Sequence, residues 1–185
     1  ILPMRVDPSS HLIVGARYMP SPNADARPQS CPATLIVIHN ISLPPNEFGG
    51  PYIEQLFTNQ LDPSAHPYFS SIAKQKVSAH ILIKRDGSIV QFVAFNFRAW
   101  HAGPSEYQGC CDCNDFSIGV ELEGADELPY TDAQYAVLAA LIDTLRIAYP
   151  HLDKQRIVGH SDIAPQRKTD PGPAFDWQRL MSALA

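Results

Sequence analysis

The sequence has no long apolar run, and this excludes a membrane-spanning helix. A helix that crosses a bilayer needs about 18 or more consecutive apolar residues, and no stretch of this chain approaches that length. Residues 1–14 also lack the basic, apolar and small-residue order of a signal peptide. We therefore expect a cytoplasmic protein that has no membrane partner. Because the chain does not begin with Met, the sequence leaves open whether a leader precedes it.

Cysteine is scarce and unevenly placed, which argues against a disulfide framework. The four cysteines are Cys31, Cys110, Cys111 and Cys113. Three of them fall within four residues, a poor arrangement for ordinary disulfides. Cys31 has no neighbour with which to form the second pair of a four-cysteine zinc knot. The pattern favours reduced thiols in a cytosolic protein.

Charged residues are also few, at 18 % of the chain, and the net charge is −5. A mildly acidic surface argues against nonspecific binding to nucleic acid, although a local cluster of cations can still bind a small anion. Hydrophobic residues make up 45 %, which is typical of a globular protein. Since 185 residues are enough for one ordinary domain with its own core, we expect a single domain over residues 1–185.

Several segments of the chain have strand-like patterns. The apolar, β-branched run at 35–38 predicts a buried strand. The runs at 77–84 and 88–93 are joined by an Asp-Gly turn and predict a hairpin. Further strands are predicted at 116–123 and 156–158.

Helical signals lie between these strands. The strongest covers residues 130–149, where Thr131 and Gln134 have the spacing of a capping box. A short helix is predicted at 51–61, with a proline at its first position, and a terminal helix at 175–184. Because helices and strands are interleaved and one strand pair is a hairpin, we predict an α/β fold with a mixed central β-sheet and flanking helices.

Three residues could bind a metal ion. His39 ends the first buried strand and His160 follows another strand, and α/β sheets place ligands at such strand ends. Asp170 would complete the two imidazoles and one carboxylate of a hydrolytic zinc site. The spacing alone leaves other interpretations open. His39 is also consistent with a core histidine, Asp170 with a turn residue, and Asp162 is a rival ligand.

Three further residues could carry catalysis. Glu121 and Glu123 lie two apart on a predicted strand, so alternation places both carboxylates on one face. That face could hold a general base, although the residues alone slightly favour a solvent-exposed face. Lys168 lies two residues before Asp170 and could stabilise an oxyanion, or could be a surface lysine beside Arg167.

Five segments carry a resemblance to a known family: VIHNISLPP at 37–45, RAWHAG at 98–103, CNDFSIGVELEG at 113–124, GHSDIAP at 159–165 and RKTDPGP at 167–173. Their identity and order resemble the type 2 N-acetylmuramoyl-L-alanine amidases, and especially the cytoplasmic members that act on anhydromuramyl peptides. This family shares its fold with peptidoglycan-recognition proteins. The resemblance runs from about residue 20 to residue 177, which is nearly the whole chain.

The resemblance implies a role for each candidate. His39, His160 and Asp170 are expected to bind Zn²⁺, a choice that displaces the rival aspartate. Glu121 is expected to be the general base, and Lys168 to stabilise the oxyanion.

The resemblance also implies which residues contact the substrate, a small anhydromuropeptide. Asn40, Tyr68, Trp100 and Arg167 are expected to line the cleft, with the indole of Trp100 packed on the sugar ring. Among the other histidines, His80 and His101 are expected to support the cleft by hydrogen bonds.

One departure from the family bears on specificity. Asp112 stands where the family usually has an arginine before the cysteine, and that arginine could pair with a carboxylate of the stem peptide. Its loss predicts a different or shorter range of stems. The roles of Cys110 and Cys111 stay open, as does motion of residues 51–69 as a lid.

Three functions fit the sequence: a cytoplasmic recycling amidase, an amidase of the same family that acts on intact peptidoglycan, and a binding module that does not cut. The complete catalytic set disfavours the binding module. The lack of a visible leader or cell-wall-binding domain disfavours the second. We therefore expect the first, acting as a monomer.

Overall fold

The computed structural model describes residues 3–185, and this part of the chain contains ten strands and four α-helices. The strands are β1 (Arg17–Tyr18), β2 (Ala24–Ala26), β3 (Leu35–Ile41), β4 (Ile81–Ile83), β5 (Ile89–Gln91), β6 (Phe97–Ala99), β7 (Glu106–Tyr107), β8 (Cys110–Cys111), β9 (Ser117–Glu123) and β10 (Ile157–Gly159). The α-helices are α1 (Tyr52–Phe57), α2 (Asp132–Ala148), α3 (His160–Ile163) and α4 (Trp177–Ala183), and short 3-10 helices cover Pro67–Ser71, Cys113–Phe116 and Lys154–Arg156.

Six of these strands form the central sheet, in the order β1-β5-β4-β9-β3-β10. The β4–β5 pair is antiparallel and the other neighbours are parallel. The predicted α/β class with a mixed sheet and flanking helices is therefore confirmed. Strands β3 and β9 lie in the middle and are covered on both faces, which explains the uninterrupted apolar run at the start of β3.

The predicted hairpin is present, but its strands are shorter than the sequence indicates. Strand β4 begins at Ile81 rather than at residue 77. The N–H of Ser78 donates to the carbonyl of Trp100, so this residue is tied to a distant segment. His80 keeps its neighbours on both sides: its N–H donates to the carbonyl of Gly119 on β9, and its carbonyl accepts the N–H of Phe92.

The predictions for α2 and α1 differ in accuracy. Around α2 the capping box is present, since Thr131 and Gln134 each accept a backbone N–H from the other at 3.1 Å. Helix α1 begins one residue later than predicted, with Pro51 as its N-cap, and ends well before residue 61. The chain leaves α1 because Asn59 adopts a left-handed backbone conformation.

Alternation along the central strands separates the two faces of the sheet. Ile36, Ile38, Val120 and Leu122 pack in the core cluster that includes α2. The residues that alternate with them along β3 and β9 include His39, Glu121 and Glu123, and these therefore face the opposite side. That second side is partly covered by residues 51–69, whose apolar side chains are buried there. None of the helices in the described part of the chain has both the length and the apolar character needed to cross a membrane.

Candidate metal centre and cleft

Strand register brings the candidate residues together. His39 and Glu121 are direct partners across the parallel β3–β9 pair. On the other side of β3, Gly159 of β10 pairs with Ile38, so His160 begins α3 beside His39. Three strand ends therefore deliver two imidazoles and a carboxylate to one edge of the sheet, as expected for ligands in α/β folds.

The three predicted metal ligands form one cluster. The Nδ1 atoms of His39 and His160 lie 3.0 Å apart. Oδ2 of Asp170 lies 3.2 Å from Nδ1 of His39 and 3.3 Å from Nδ1 of His160. Among the described residues, these three make up the group that could hold a metal ion. Asp162 lies outside it, because its side chain is exposed and accepts the N–H of Gly159 at 2.7 Å.

The outer nitrogens of both histidines are already occupied. Nε2 of His160 donates to the carbonyl of Ala102 at 2.9 Å, which leaves the lone pair on Nδ1. Nε2 of His39 lies 2.8 Å from Nδ1 of His101, and Nε2 of His101 lies 2.9 Å from Oγ of Ser117. When Nε2 of His39 donates its hydrogen to His101 in this series of hydrogen bonds, the lone pair of His39 is on Nδ1 and also points into the cluster. Metal-binding histidines are usually oriented by hydrogen bonds of this kind.

The His101 ring fits only because its neighbour on β9 is a glycine. A Cβ added to Gly119 would lie 2.4 Å from the ring. The predicted hydrogen bonding of His101 at the cleft is thus present, through its contact with His39. The amides of His101 and Ala102 both donate to Oδ1 of Asn114, which holds this segment in place.

The donor set fits a divalent cation. Burial lowers the pKa of His39 to about 4, so its ring is neutral near neutral pH. Burial raises the pKa of Asp170, but the adjacent His160 and His39 rings outweigh it, and the pKa lies below its usual range, so the carboxylate is ionised. Two imidazoles and an ionised carboxylate therefore converge. Their separations are close to the roughly 3.3 Å between ligands of a tetrahedral zinc ion with bonds of about 2.0 Å.

Glu121 lies beside this cluster. Its Oε1 is 3.9 Å from Nδ1 of His39. Its Oε2 is buried and has no hydrogen-bond partner among residues 3–185. Burial and the negative charge of Asp170 raise the pKa of Glu121 well above its usual value, and the charge of Lys168 opposes them. The expectation that this strand face is solvent-exposed is wrong, because Glu121 and Glu123 are both buried in the middle of the sheet.

A cleft of about 640 Å³ opens above the cluster. Its lining contains all nine residues predicted for the site: His39, Asn40, Tyr68, Trp100, Glu121, His160, Arg167, Lys168 and Asp170. The nine predicted residues are therefore brought together in one cleft, and their functional roles stay predictions.

Three of the four predicted substrate residues are held by hydrogen bonds within the protein, and Trp100 and Arg167 are two of them. The Nε1–H of Trp100 donates to Asp25 at 3.2 Å, which fixes the indole at the cleft wall. The guanidinium of Arg167 donates to the carbonyls of Ala102 and Pro104 at 2.7 and 2.8 Å. The phenol of Tyr68 is 42 % exposed and so remains available to a ligand.

Asn40 lines the cleft as predicted and is also held by hydrogen bonds within the protein. Its Nδ2 donates to Oδ1 of Asp126 at 2.7 Å, to the hydroxyl of Tyr130 at 3.0 Å and to the carbonyl of Pro171 at 3.2 Å. The amide therefore also holds the segment that follows Asp170. Sequence reasoning missed Asp126, because a single aspartate in a polar loop has no pattern that marks it.

The cysteine-rich segment lies away from the cleft lining. Strands β7 and β8 pair as a small antiparallel hairpin, with Cys110 and Cys111 exposed. Cys113 is buried, and this raises the pKa of its thiol. Asp112 is exposed and is absent from the residues that line the cleft. All four cysteines are free thiols.

The fold and the site together define the class of protein. The chain is an α/β protein with a His-His-Asp centre at the floor of an open cleft, and metal-dependent hydrolases use this arrangement. The family model described as N-acetylmuramoyl-L-alanine amidase matches residues 29–173. The chain belongs to this N-acetylmuramoyl-L-alanine amidase family.

Individual relatives agree with this assignment. The chain is 63 % identical over 168 residues to 1,6-anhydro-N-acetylmuramyl-L-alanine amidase AmpD of Escherichia coli (strain K12), covering 91 % of each chain. It is similar to the crystal structure of a selenomethionine AmpD derivative, with a TM-score of 0.95, 56 % identity and coverage of 98 % of this chain and 100 % of that one. It also resembles AmiD of E. coli in complex with anhydro-N-acetylmuramic acid-L-Ala-D-gamma-Glu-L-Lys, with a TM-score of 0.60, 28 % identity and coverage of 85 % and 60 %.

Proposed function

We propose that this protein is a zinc-dependent amidase that hydrolyses the bond between 1,6-anhydro-N-acetylmuramic acid and the L-alanine of the stem peptide. We propose further that residues 1–185 form a single amidase domain, which acts as a monomer in the cytoplasmic recycling of cell-wall fragments. The observation that carries the proposal is the convergence of His39, His160 and Asp170 beside the partnerless carboxylate oxygen of Glu121.

The relatives support the substrate class. AmpD is named for activity on 1,6-anhydro-N-acetylmuramyl-L-alanine. The AmiD structure is a complex with the substrate anhydro-N-acetylmuramic acid-L-Ala-D-gamma-Glu-L-Lys. The cleft of about 640 Å³ is large enough for a ligand of this kind.

Zinc fits the two imidazoles and one carboxylate, and when bound there it supplies a Lewis acid for the amide carbonyl and favours deprotonation of water. Glu121 accepts the proton of the attacking water at its partnerless oxygen. Lys168 stabilises the negative charge that develops on the carbonyl oxygen. Glu121 then delivers the proton to the leaving nitrogen of L-alanine. The C–N bond breaks, and the products are the muramic carboxylic acid and the free peptide amine.

The raised pKa of Glu121 suits this exchange, since the side chain must hold a proton in the middle of the reaction. A nearby cation favours the ionised form, so a bound metal would add to the opposing charge of Lys168 and favour the base form of Glu121 at the start. The environment thus balances both halves of the proton transfer.

The walls of the cleft accommodate the remainder of the substrate. We assign the indole of Trp100 to the sugar ring, because it is fixed by Asp25 at the cleft wall. Tyr68, Arg167 and Asn40 are assigned to polar groups of the ligand, which can use the exposed phenol, the remaining guanidinium donors and the amide oxygen.

The test pairs metal content with hydrolysis. Purified protein is expected to hold one zinc per chain and to cut anhydromuramyl-L-Ala-γ-D-Glu-diaminopimelate, with activity lost on chelation and restored by zinc. His39→Ala should lose both metal and turnover, because one ligand is removed. Protein that holds no zinc under any loading condition and cuts nothing would contradict the proposal and favour a binding module. Comparable activity on intact sacculi would contradict the recycling role.

A further inference from the structure

The carboxylate of Asp126 connects two segments of the active cleft. Its Oδ1 accepts the Nδ2–H of Asn40 at 2.7 Å, and its Oδ2 accepts the hydroxyl of Thr169 at 2.5 Å. Asn40 follows directly after His39 on β3, whereas Thr169 lies on the segment after α3. One side chain therefore ties the end of the central strand to the segment that completes the metal centre.

Thr169 occupies a distinctive position in the chain, because it lies between Lys168 and Asp170. Its neighbour on one side is the proposed oxyanion stabiliser, and on the other side is a proposed metal ligand. Its own side chain is exposed. Apart from the bond to Asp126, the threonine hydroxyl has no hydrogen-bond partner within residues 3–185. Fixing this one hydroxyl restrains the backbone on both sides.

The backbone of the same region is shaped to bring Asp126 close. Gly172 has a φ of +81°, and a Cβ placed there would lie 2.3 Å from Cα of Asp126. The carbonyl of Asp126 also accepts the N–H of Ala174 at 2.9 Å. Only glycine fits at position 172, because any Cβ there would clash with the backbone of Asp126. The close approach of residues 126 and 169–174 therefore depends on this glycine.

We propose that Asp126 and Thr169 are positioning residues that set the placement of Asp170 and Lys168. This inference rests on the proposed function, since it assumes that Asp170 binds the metal. Neither residue takes part in proton transfer. Asn40 completes the arrangement by holding the other carboxylate oxygen and the carbonyl of Pro171, at 3.2 Å.

The test is a matched pair of substitutions at the exposed threonine. Thr169→Val keeps the side-chain shape and removes the hydroxyl, whereas Thr169→Ser keeps the hydroxyl. Zinc affinity of the metal-free protein is measured by competition with a chelator, without substrate, alongside kcat, KM and Tm. Residues that orient metal ligands typically change metal affinity about 10- to 100-fold. We expect Thr169→Val to lose at least about tenfold in zinc affinity and in kcat, with KM nearly unchanged, and Thr169→Ser to retain both within about twofold.

Thr34→Val is the control, because Thr34 lies at the opposite end of β3 from His39 and its hydroxyl accepts a bond from Arg156 at 3.2 Å. This variant should keep wild-type zinc affinity. In an Asp126→Ala background, Thr169→Val should have little further effect on zinc affinity, because the partner of the hydroxyl is already absent.

The outcomes separate the possible failures. Equal zinc affinity in Thr169→Val and Thr169→Ser would overturn the positioning role, and so would a change confined to KM, which would mark Thr169 as a substrate contact. A fall in Tm with unchanged zinc affinity would reduce the contact to a structural one. Wild-type protein that binds no zinc would instead contradict the proposed function itself, and the positioning role with it.

Discussion

The two buried carboxylates of β9 lie in opposite environments, although they share a strand, a face and a residue type. Glu123 is fully bonded: its Oε2 accepts the N–H of Gly49 at 2.9 Å and its Oε1 accepts the N–H of Arg85 at 3.1 Å. Glu121 has one oxygen 3.9 Å from His39 and the other without a partner. The first carboxylate joins loops, and the second is free to exchange a proton.

The buried histidines show the same contrast. In His80, Nδ1 accepts the N–H of Gly119 at 3.0 Å and Nε2 donates to the carbonyl of Phe97 at 2.8 Å. In His39, one nitrogen contacts His101 and the other faces the cleft cluster. Polar groups that are satisfied by backbone support the fold. In the cluster at the cleft floor, a buried lone pair without a partner is available to a ligand, because burying such a group costs stability unless a ligand completes it.

The largest effect should come from the free carboxylate. Glu121→Gln preserves size but cannot accept the proton of water, so we expect kcat to fall about 10²- to 10⁴-fold. Zinc content and Tm should stay close to those of the wild type. Steady-state hydrolysis of the anhydromuropeptide, with zinc measured on the same samples, checks this. Turnover near the wild-type rate would mean that Glu121 is not the base.

The same substitution two residues along the strand should act on stability instead. In Glu123→Gln only one of the two side-chain oxygens remains as an acceptor. The new amide NH₂ group then faces the backbone N–H of Gly49 or Arg85, and two donors cannot form a hydrogen bond. One buried hydrogen bond is lost, which costs about 1–3 kcal/mol of unfolding free energy. We expect kcat within about threefold of the wild type. Denaturant unfolding and kinetics on both variants give the comparison directly. A loss of turnover as large as that of Glu121→Gln would erase the distinction between the two carboxylates.

The smallest effect concerns the satisfied histidine and pH. Burial and the charge of Arg27 lower the pKa of His80 to about 3, from 6.5. Between these values the unfolded chain binds the proton and the folded chain does not, so stability is present above pH 6.5 and is lost as the pH falls towards 3. Lowering the pH from 7.5 to 5.5 should therefore reduce the unfolding free energy by about 1 kcal/mol through His80.

His80→Gln cannot titrate, and it serves as the comparison for this pH dependence. Although it is less stable at every pH, its unfolding free energy should decline less steeply than that of the wild type over the same interval. Denaturant unfolding at both pH values measures the two slopes. Parallel slopes would assign the acid sensitivity to other groups.

Much of the fold was predictable because its signals are local. The capping box of α2, the Asp-Gly hairpin and the apolar run of β3 depend on residues near in sequence. The predicted bounds of β4 and α1 were wrong. Helix α1 ends early because Asn59 adopts a left-handed backbone conformation, and Ser78 lies outside β4 because its N–H donates to the distant carbonyl of Trp100.

The sequence alone determined the α/β class, the family resemblance and the identity of His39, His160, Asp170, Glu121 and Lys168 as candidates. Residue type and strand position raised these candidates, and the motifs that carry the resemblance chose among the alternatives. Only the tertiary structure decided that Asp162 points away and that Glu121 is free while Glu123 is bonded. The tertiary structure also brings Asp126 and Thr169 into contact, although they lie 43 positions apart in the sequence. Alternation assigns side chains to a face, but the hydrogen-bond partners on that face come from distant segments, and only the packed chain defines them.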